Sequence, residues 1–273
     1  MPSVIFNLSF NYWEQFLLSV IPALINIGIF LYTSFYLPNN KTNKLFSVFV
    51  LFLAIGQISD GLVRMSNTEE TAMLWFRASG FPWSFIPPLG LWFTLRFSGW
   101  HKKIPYRLLV VFLFLPAIVF SLMRTAWLDE YTIAKSEVWN WTVNPVPDII
   151  TNSIYFWMSG IAFFTFVFLW GYFLKQKNNP NKKHQALLLA TGYSVPFITA
   201  IIADVLLPLI YKHDSIPLTT PALTVFSITV IIAMKKYSML DYSPRHQWNT
   251  IIENMNEAIL IVDNADRIMY ANN

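Results

Sequence analysis

The chain has 273 residues and a formal net charge of +4, and 55% of its residues are hydrophobic while only 12% are charged. A soluble domain carries about 25% charged residues, so this composition excludes an ordinary water-soluble fold and indicates a protein that crosses the bilayer repeatedly. The absence of cysteine excludes disulfides, thiolate nucleophiles and zinc–thiolate sites. The basic residues are scattered rather than gathered on one face, so we predict no nucleic-acid partner.

Apolar segments long enough to cross a bilayer, at about 20 residues each, recur along the chain. There are seven, at residues 16–37, 45–65, 73–98, 108–123, 149–174, 186–211 and 217–234. No cationic region precedes the first, so we interpret it as a membrane helix rather than a cleaved signal peptide. The sequence therefore predicts an all-α membrane protein, with a seven-transmembrane-helix bundle as a sensory domain over residues 1–236.

Cationic residues divide unequally between the two sides of this bundle. The loops after the first, third and fifth segments, with the exit from the seventh, hold twelve lysines and arginines, whereas the opposite loops and ends hold four. Positively charged loops remain on the cytoplasmic side of a membrane. The N-terminus is therefore predicted to lie outside and the C-terminus in the cytoplasm.

Charged residues inside the predicted helices mark a candidate site. Asp60 and Arg64 lie four residues apart on one face of the second helix, and Asp204 lies within the sixth. A charge in the bilayer centre costs roughly 3 kcal/mol unless it is paired or hydrated, so such residues usually face the bundle interior. With Arg77, they are predicted to line a polar outer cavity that senses a ligand or an ion. A buried ion-pair network that only fixes helix packing explains the pattern equally well.

The longest outer loop, residues 124–148, contains Trp127, Trp139 and Trp141. One interpretation is an aromatic lid over the outer mouth of the bundle, which adds these tryptophans to the candidate sensing cavity. The alternative is an interfacial belt, in which tryptophans lie at the level of the lipid headgroups. The four histidines show no metal-ligand spacing, so we predict neither a metal site nor a catalytic residue in this chain.

The third segment is rich in helix-disturbing residues, which predict a kinked or locally unwound helix. They are Gly80, Pro82, Pro87, Pro88 and Gly90.

Beyond the seventh segment the chain changes to water-soluble chemistry. Residues 237–257 are predicted to form a cytoplasmic linker helix, in which Trp248, Ile251 and Met255 make one apolar stripe that transmits the signal. The spacing of the stripe suits a two-stranded coiled coil in a homodimer, and it suits equally a helix that packs on its own domain. Residues 258–271 read as strand, turn and strand, which predicts a β-hairpin.

Two stretches of this sequence resemble known domains. Residues 253–273, ENMNEAILIVDNADRIMYANN, resemble the opening of a PAS domain, with Asn272 in the place of the asparagine before its first helix. The seven-helix input domain at the N-terminus of some bacterial sensor histidine kinases is similar in its exit, AMKKYSMLDYSP, and in its third helix, LWFRASGFPWSFIPPLGLWFTLRFSG. In that helix Trp75, Arg77 and Phe97 occupy the places of the family pattern.

The resemblance implies a membrane-embedded input module of a two-component sensor histidine kinase in the bacterial inner membrane. It implies a PAS domain that starts at residue 258 and is incomplete at residue 273, so we expect the chain to be part of a longer protein. A downstream kinase would use ATP and magnesium and would act on a response regulator, whereas this chain needs no cofactor. The stimulus is an unknown ligand, and the lipid bilayer is the other partner.

Other functions remain open at this point. His246 is followed by Gln247 and Trp248 instead of the acidic residue usual at a phosphoacceptor, and no glycine-rich ATP lid is present, so this chain alone is not a kinase. Related input domains also precede diguanylate cyclases, which is one alternative, and a transporter or channel is another. A retinal protein is excluded because residues 217–234 contain no lysine for a Schiff base.

Overall fold

The structure is a computed structural model that describes residues 12–38, 40–126, 131–136, 140–146, 148–176, 179–207, 218–236, 260–262 and 268–271. The long helices of these residues are α1 (Tyr12–Phe35), α2 (Lys41–Met65), α3 (Glu69–Phe97), α4 (Tyr106–Thr125), α5 (Ile149–Lys175), α6 (Pro180–Ala200) and α7 (Thr219–Lys236). Each coincides with one predicted segment. A short 3₁₀-helix, Trp100–Lys103, joins α3 to α4, and α6 continues as a π-helical turn, Ile201–Leu206.

Polar residues in the loops determine where several of these helices begin. The side chain of Asn40 accepts hydrogen bonds from the backbone N–H groups of Thr42 and Asn43, at 3.0 and 2.8 Å. Asp148 caps α5 and Asn179 caps α6 in the same way. These caps satisfy N–H groups that have no partner within the helix, so the short polar loops position each helix start.

Two short antiparallel hairpins accompany the helices. Strands β1 (Tyr131–Ser136) and β2 (Asn140–Pro145) pair in the loop between α4 and α5, where the sequence predicted no strand. Strands β3 (Leu260–Val262) and β4 (Ile268–Ala271) pair near the C-terminus, with an irregularity between Ile261 and Val262. The predicted C-terminal β-hairpin is therefore confirmed. The linker helix predicted at residues 237–257, with Trp248, Ile251 and Met255, lies outside the described residues.

The described helices differ in how well they suit a lipid environment. By length and hydropathy alone five segments could cross a membrane: Phe16–Phe35, Lys41–Met65, Tyr106–Thr125, Ile149–Lys175 and Pro180–Asp204. Helices α3 and α7 do not reach this level, so only five of the seven predicted crossings are confirmed as apolar spans. The reason is composition: α3 carries Arg77, Arg96 and three prolines, and the 18 residues of α7 include two lysines and several threonines.

The apolar core fills one half of the bundle. We call this half the lysine end, because α2 begins there at Lys41 and α7 ends there at Lys236. Phe46, Phe93 and Phe226 are fully buried in this core. The rings of Phe46 and Phe93 lie 5.3 Å apart, and those of Phe93 and Phe226 lie 6.4 Å apart. Aromatic contacts therefore join α2, α3 and α7 into one packed unit.

Helix α3 is continuous from Glu69 to Phe97, although it contains Pro82, Pro87 and Pro88. The helix is therefore not locally unwound, and the kink that the sequence predicts as the other possibility stays a prediction. A proline removes one backbone donor and leaves a carbonyl one turn earlier without its usual partner. The carbonyls concerned are those of Ala78, Trp83 and Ser84, four residues before Pro82, Pro87 and Pro88. Packing against α2, α4 and α5 surrounds the helix, so its prolines are accommodated within the bundle.

Candidate functional site

A cavity of about 720 Å³ lies at the opposite end of the bundle, which carries the β1–β2 hairpin and is called the hairpin end. It is bounded by α2, α3, α5, α6, α7 and β2. Four of the predicted sensing residues line it: Asp60 and Arg64 from α2, Asp204 from the π-helical turn and Trp141 from β2. The volume falls within the range of roughly 300–1,000 Å³ that is usual for small-molecule sites.

Asp60 connects three helices at the base of this cavity. One carboxylate oxygen, Oδ1, accepts a hydrogen bond from the indole N–H of Trp83 on α3 at 3.2 Å. The other, Oδ2, accepts from the hydroxyl of Thr220 on α7 at 2.9 Å. Trp83 can approach α2 closely because Gly56 has no side chain, and a Cβ there would lie 3.2 Å from the indole ring. The guanidinium of Arg64, one turn further along α2, supplies an opposite charge on the same helical face.

Asp204 contacts Thr219, the residue of α7 that precedes Thr220. Its Oδ2 accepts a hydrogen bond from the hydroxyl of Thr219 at 2.8 Å. Two carboxylates from two different helices therefore bind consecutive threonines in the first turn of α7. The N-terminus of a helix carries a partial positive charge, which favours nearby anions. The start of α7 is thus positioned by α2 on one side and by the π-helical turn after α6 on the other.

A buried amide network lies one turn below Asp60. Gln57 and Asn26 are both fully buried, and Asn26 Nδ2 donates to Gln57 Oε1 at 2.9 Å. Gln57 Nε2 in turn donates to the hydroxyl of Thr224 at 3.0 Å and to the carbonyl of Thr220 at 2.9 Å. The sequence did not lead us to predict this network. An amide side chain in each of two apolar helices was nevertheless a signal that could have indicated a buried polar contact. The network joins α1, α2 and α7 beneath the cavity.

The family model described as the N-terminal 7TM region of histidine kinase matches residues 18–244. The chain belongs to this family. A comparison with curated proteins finds no match. The matched range begins within α1 and ends beyond α7, so it includes every residue that lines the cavity. The family supports a membrane sensory input module of a histidine kinase.

Arg77 differs from the prediction, because the 7TM region buries it beside the cavity rather than in its wall. Its guanidinium donates to the backbone carbonyl of Arg124 at 3.2 Å and lies 5.5 Å from the centre of the Tyr131 ring. Arg124 donates to the Tyr131 hydroxyl and lies 5.2 Å from the ring of Phe76. The sequence prediction grouped Arg77 with the other charged residues because all of them lie within predicted membrane segments. Its position on α3 instead directs its side chain towards β1. It therefore serves the packing of α3, α4 and β1.

The β1–β2 hairpin covers the end of α2 in this 7TM region. Asn140 donates from its side chain to the carbonyl of Arg64, and the indole N–H of Trp141 donates to the carbonyl of Ser66 at 2.7 Å. These donors satisfy carbonyls that a helix C-terminus leaves without partners. The cavity wall also includes Trp141, Thr142 and Val143. This position of Trp141 agrees with the interpretation of the loop as a lid. Trp127 and Trp139 lie outside the described residues.

Proposed function

We propose that this 7TM region senses an occupant of the cavity at the outer face of the membrane and transmits its presence through α7 to a cytoplasmic output. The observation that carries the proposal is the pair of contacts from Asp60 to Thr220 and from Asp204 to Thr219. A molecule that binds either carboxylate would compete with its threonine partner and so weaken the hydrogen bonds that hold the first turn of α7. The outward orientation rests on the excess of lysine and arginine at the lysine end.

Helix α7 is suited to carry such a change over a distance. Its 18 residues span about 27 Å at 1.5 Å per residue. Val230 and Ala233 are fully buried in the core at the lysine end, so the helix is packed along its length. The ammonium of Lys235 lies 4.6 Å from the centre of the Tyr32 ring, which links the last turn of α7 to α1. A displacement at Thr219 and Thr220 is therefore expected to reach Lys235.

The output is proposed from the family and from the sequence beyond α7. A linker helix at residues 237–257, with its stripe of Trp248, Ile251 and Met255, would receive the movement of α7 in a homodimer. A PAS domain beginning at residue 258 and a histidine kinase using ATP and magnesium would follow, with a response regulator as the partner. The location would be a bacterial inner membrane. The matched family names a histidine kinase, which favours this output over a diguanylate cyclase and over a transporter or channel.

Replacing Thr220 by valine tests the coupling between the cavity and the lysine end. The change removes one hydrogen bond of about 1 kcal/mol, which alters a two-state population ratio by about fivefold. The chain contains no cysteine, so spin labels can be placed at Leu174→Cys on α5 and Ile232→Cys on α7, both of which are exposed. We expect the ratio of the two populations of interspin distance to change by about fivefold. Pulsed electron paramagnetic resonance in lipid nanodiscs measures this ratio.

Thr191→Val is the matched control for this experiment. Thr191 is an exposed threonine of α6 whose hydroxyl donates only to carbonyls of its own helix in the described contacts. The control should leave the distance distribution unchanged. Equal distributions in Thr220→Val and Thr191→Val would refute the coupling.

The output class has a separate test in the native membrane. The polypeptide that contains this 7TM region, isolated from that membrane and supplied with labelled ATP and magnesium, is expected to form an acid-labile phosphohistidine. A cyclic dinucleotide formed from GTP would instead establish the diguanylate cyclase alternative. A polypeptide at the 31.7 kDa of this chain that forms neither product would contradict the kinase output.

A further inference from the structure

We propose that the cavity binds an organic monocation, a primary or quaternary ammonium group attached to an apolar body. This names the ligand class of the proposed sensory site, so its regulatory meaning rests on the proposed function. Binding itself does not depend on that function and can be measured separately.

The charges that line the cavity leave one negative charge in excess. Among the described lining residues, the charged side chains are those of Asp60, Asp204 and Arg64. Arg64 is buried one turn from Asp60 on the same helix, so these two form a nearly neutral pair. Asp204 belongs to a different helix, and in the described contacts its carboxylate is held by the neutral hydroxyl of Thr219. A net charge within the membrane is costly, and one cation restores neutrality.

The wall beside these carboxylates is aromatic. Trp83, Trp141, Tyr155, Phe163 and Phe197 all line the cavity. The N–H edges of the two indoles are directed to Asp60 and to the carbonyl of Ser66. The Lys135 ammonium lies 6.0 Å from the centre of the Trp141 ring, and Trp83 packs against Gly56, so a ligand would pack on the ring surface that these two contacts leave. Aromatic faces attract alkylammonium groups, with a gain of about 2 kcal/mol where the contact is desolvated.

The size and donor set of the cavity exclude a bare metal ion as the intended occupant. A cavity of about 720 Å³ is far larger than an ion, and Val63, Ile86, Ala162 and Leu223 give it an apolar surface. Among the described residues, no group of three or more histidine, cysteine, aspartate or glutamate side chains could hold a metal ion. An anion would add to the existing negative charge. A cation that carries an apolar or aromatic body matches both parts of the wall.

The test uses benzyltrimethylammonium as the probe and the full chain in nanodiscs of a neutral galactolipid, whose headgroups carry no ammonium group. Its uncharged carbon isostere, neopentylbenzene, has the same shape, and phenylacetate supplies the opposite charge. Binding is followed by the change in tryptophan fluorescence, because Trp83 and Trp141 lie in the wall. We expect the cation to bind at least tenfold more tightly than the isostere and phenylacetate not to bind.

Asp204→Asn is expected to weaken binding of the cation at least tenfold, whereas Asp204→Glu retains most of it. Glu70→Gln is the matched control, because Glu70 is an exposed carboxylate at the hairpin end that does not line the cavity in the described part of the chain. If Asp204→Asn does not fold, Ser159→Trp replaces it: this variant fills the cavity from α5 without changing its charge, and it too should abolish binding.

The outcomes separate this inference from the proposed function. Equal binding of the cation and its isostere, or wild-type binding in Asp204→Asn, would overturn the ligand class. Absent binding of the cation would overturn it too, although a distance change in Thr220→Val would still support the coupling through α7. Binding that leaves the Leu174–Ile232 distance unchanged would uphold the ligand class and count against the proposed function.

Discussion

Replacing Gly192 by valine is expected to lower the free energy of unfolding by about 3 kcal/mol, because it forces α6 and α7 apart. A Cβ at this position would lie 2.7 Å from both Cβ and Cγ2 of Thr229 on α7. Contacts this short cannot form, so the two helices must separate along the interface that brings Asp204 to Thr219. Small residues at such crossings allow membrane helices to pack closely. Reversible unfolding of the purified chain in mixed micelles measures the effect.

Gly160→Val is the matched control for the α6–α7 contact. Gly160 lies within α5, and a Cβ placed there has no neighbour within 4 Å. The control should therefore leave the free energy of unfolding within about 0.5 kcal/mol of the wild-type value. Adding Thr229→Gly to Gly192→Val should restore much of the loss. Equal effects of Gly192→Val and Gly160→Val would show that the helices do not approach as closely as the structure indicates.

The change Gln57→Leu is expected to reduce the free energy of unfolding by about 2 kcal/mol, since it removes three buried hydrogen bonds worth about 0.6 kcal/mol or more each. Leucine has a similar volume, so the loss reports polar contacts rather than a cavity. A double-mutant cycle with Asn26→Leu measures the coupling directly. We expect the double variant to be less destabilised than the sum of the single ones.

Replacing another glutamine by leucine tests whether the loss of stability is specific to Gln57. Gln176→Leu alters a glutamine at the C-terminal end of α5, where the described contact is made by its backbone N–H. Its free energy of unfolding should remain close to wild type. Strict additivity of Gln57→Leu and Asn26→Leu would argue against the amide network, because independent side chains show no coupling energy.

The positions of the long helices were predictable because each requires a run of apolar residues, and that requirement acts locally. Hydropathy alone was less informative for α3 and α7. A helix that packs against several neighbours can carry arginine, proline and threonine, since its surface faces protein as well as lipid. Apolar length predicted both helices, and the resemblance of the third segment and of the exit from the seventh supported them.

The candidate site was predictable in part, for a reason that the two arginines illustrate. The sequence fixes the depth of Arg64 and Arg77 in the bundle, but the neighbours of each helix decide what the side chains meet. Arg64 faces the cavity, whereas Arg77 faces Arg124 and Tyr131. The bonds from Gln57 to Asn26 and Thr224 join residues far apart in the chain, so local patterns could not reveal them. The β1–β2 hairpin was missed because its loop was interpreted by its tryptophans alone.

The π-helical turn that carries Asp204 has a consequence for comparing relatives of this chain. Such a turn contains one residue more than the α-helix it interrupts. A relative with an uninterrupted sixth helix would align with a gap of one position between Pro196 and Leu207. With that gap, residues on both sides of the turn keep their helical faces, whereas an alignment without the gap would rotate every residue after the turn by about 100°. An acidic residue that an ungapped alignment placed opposite Asp204 would point away from the seventh helix, so shared identity there need not mean a shared contact.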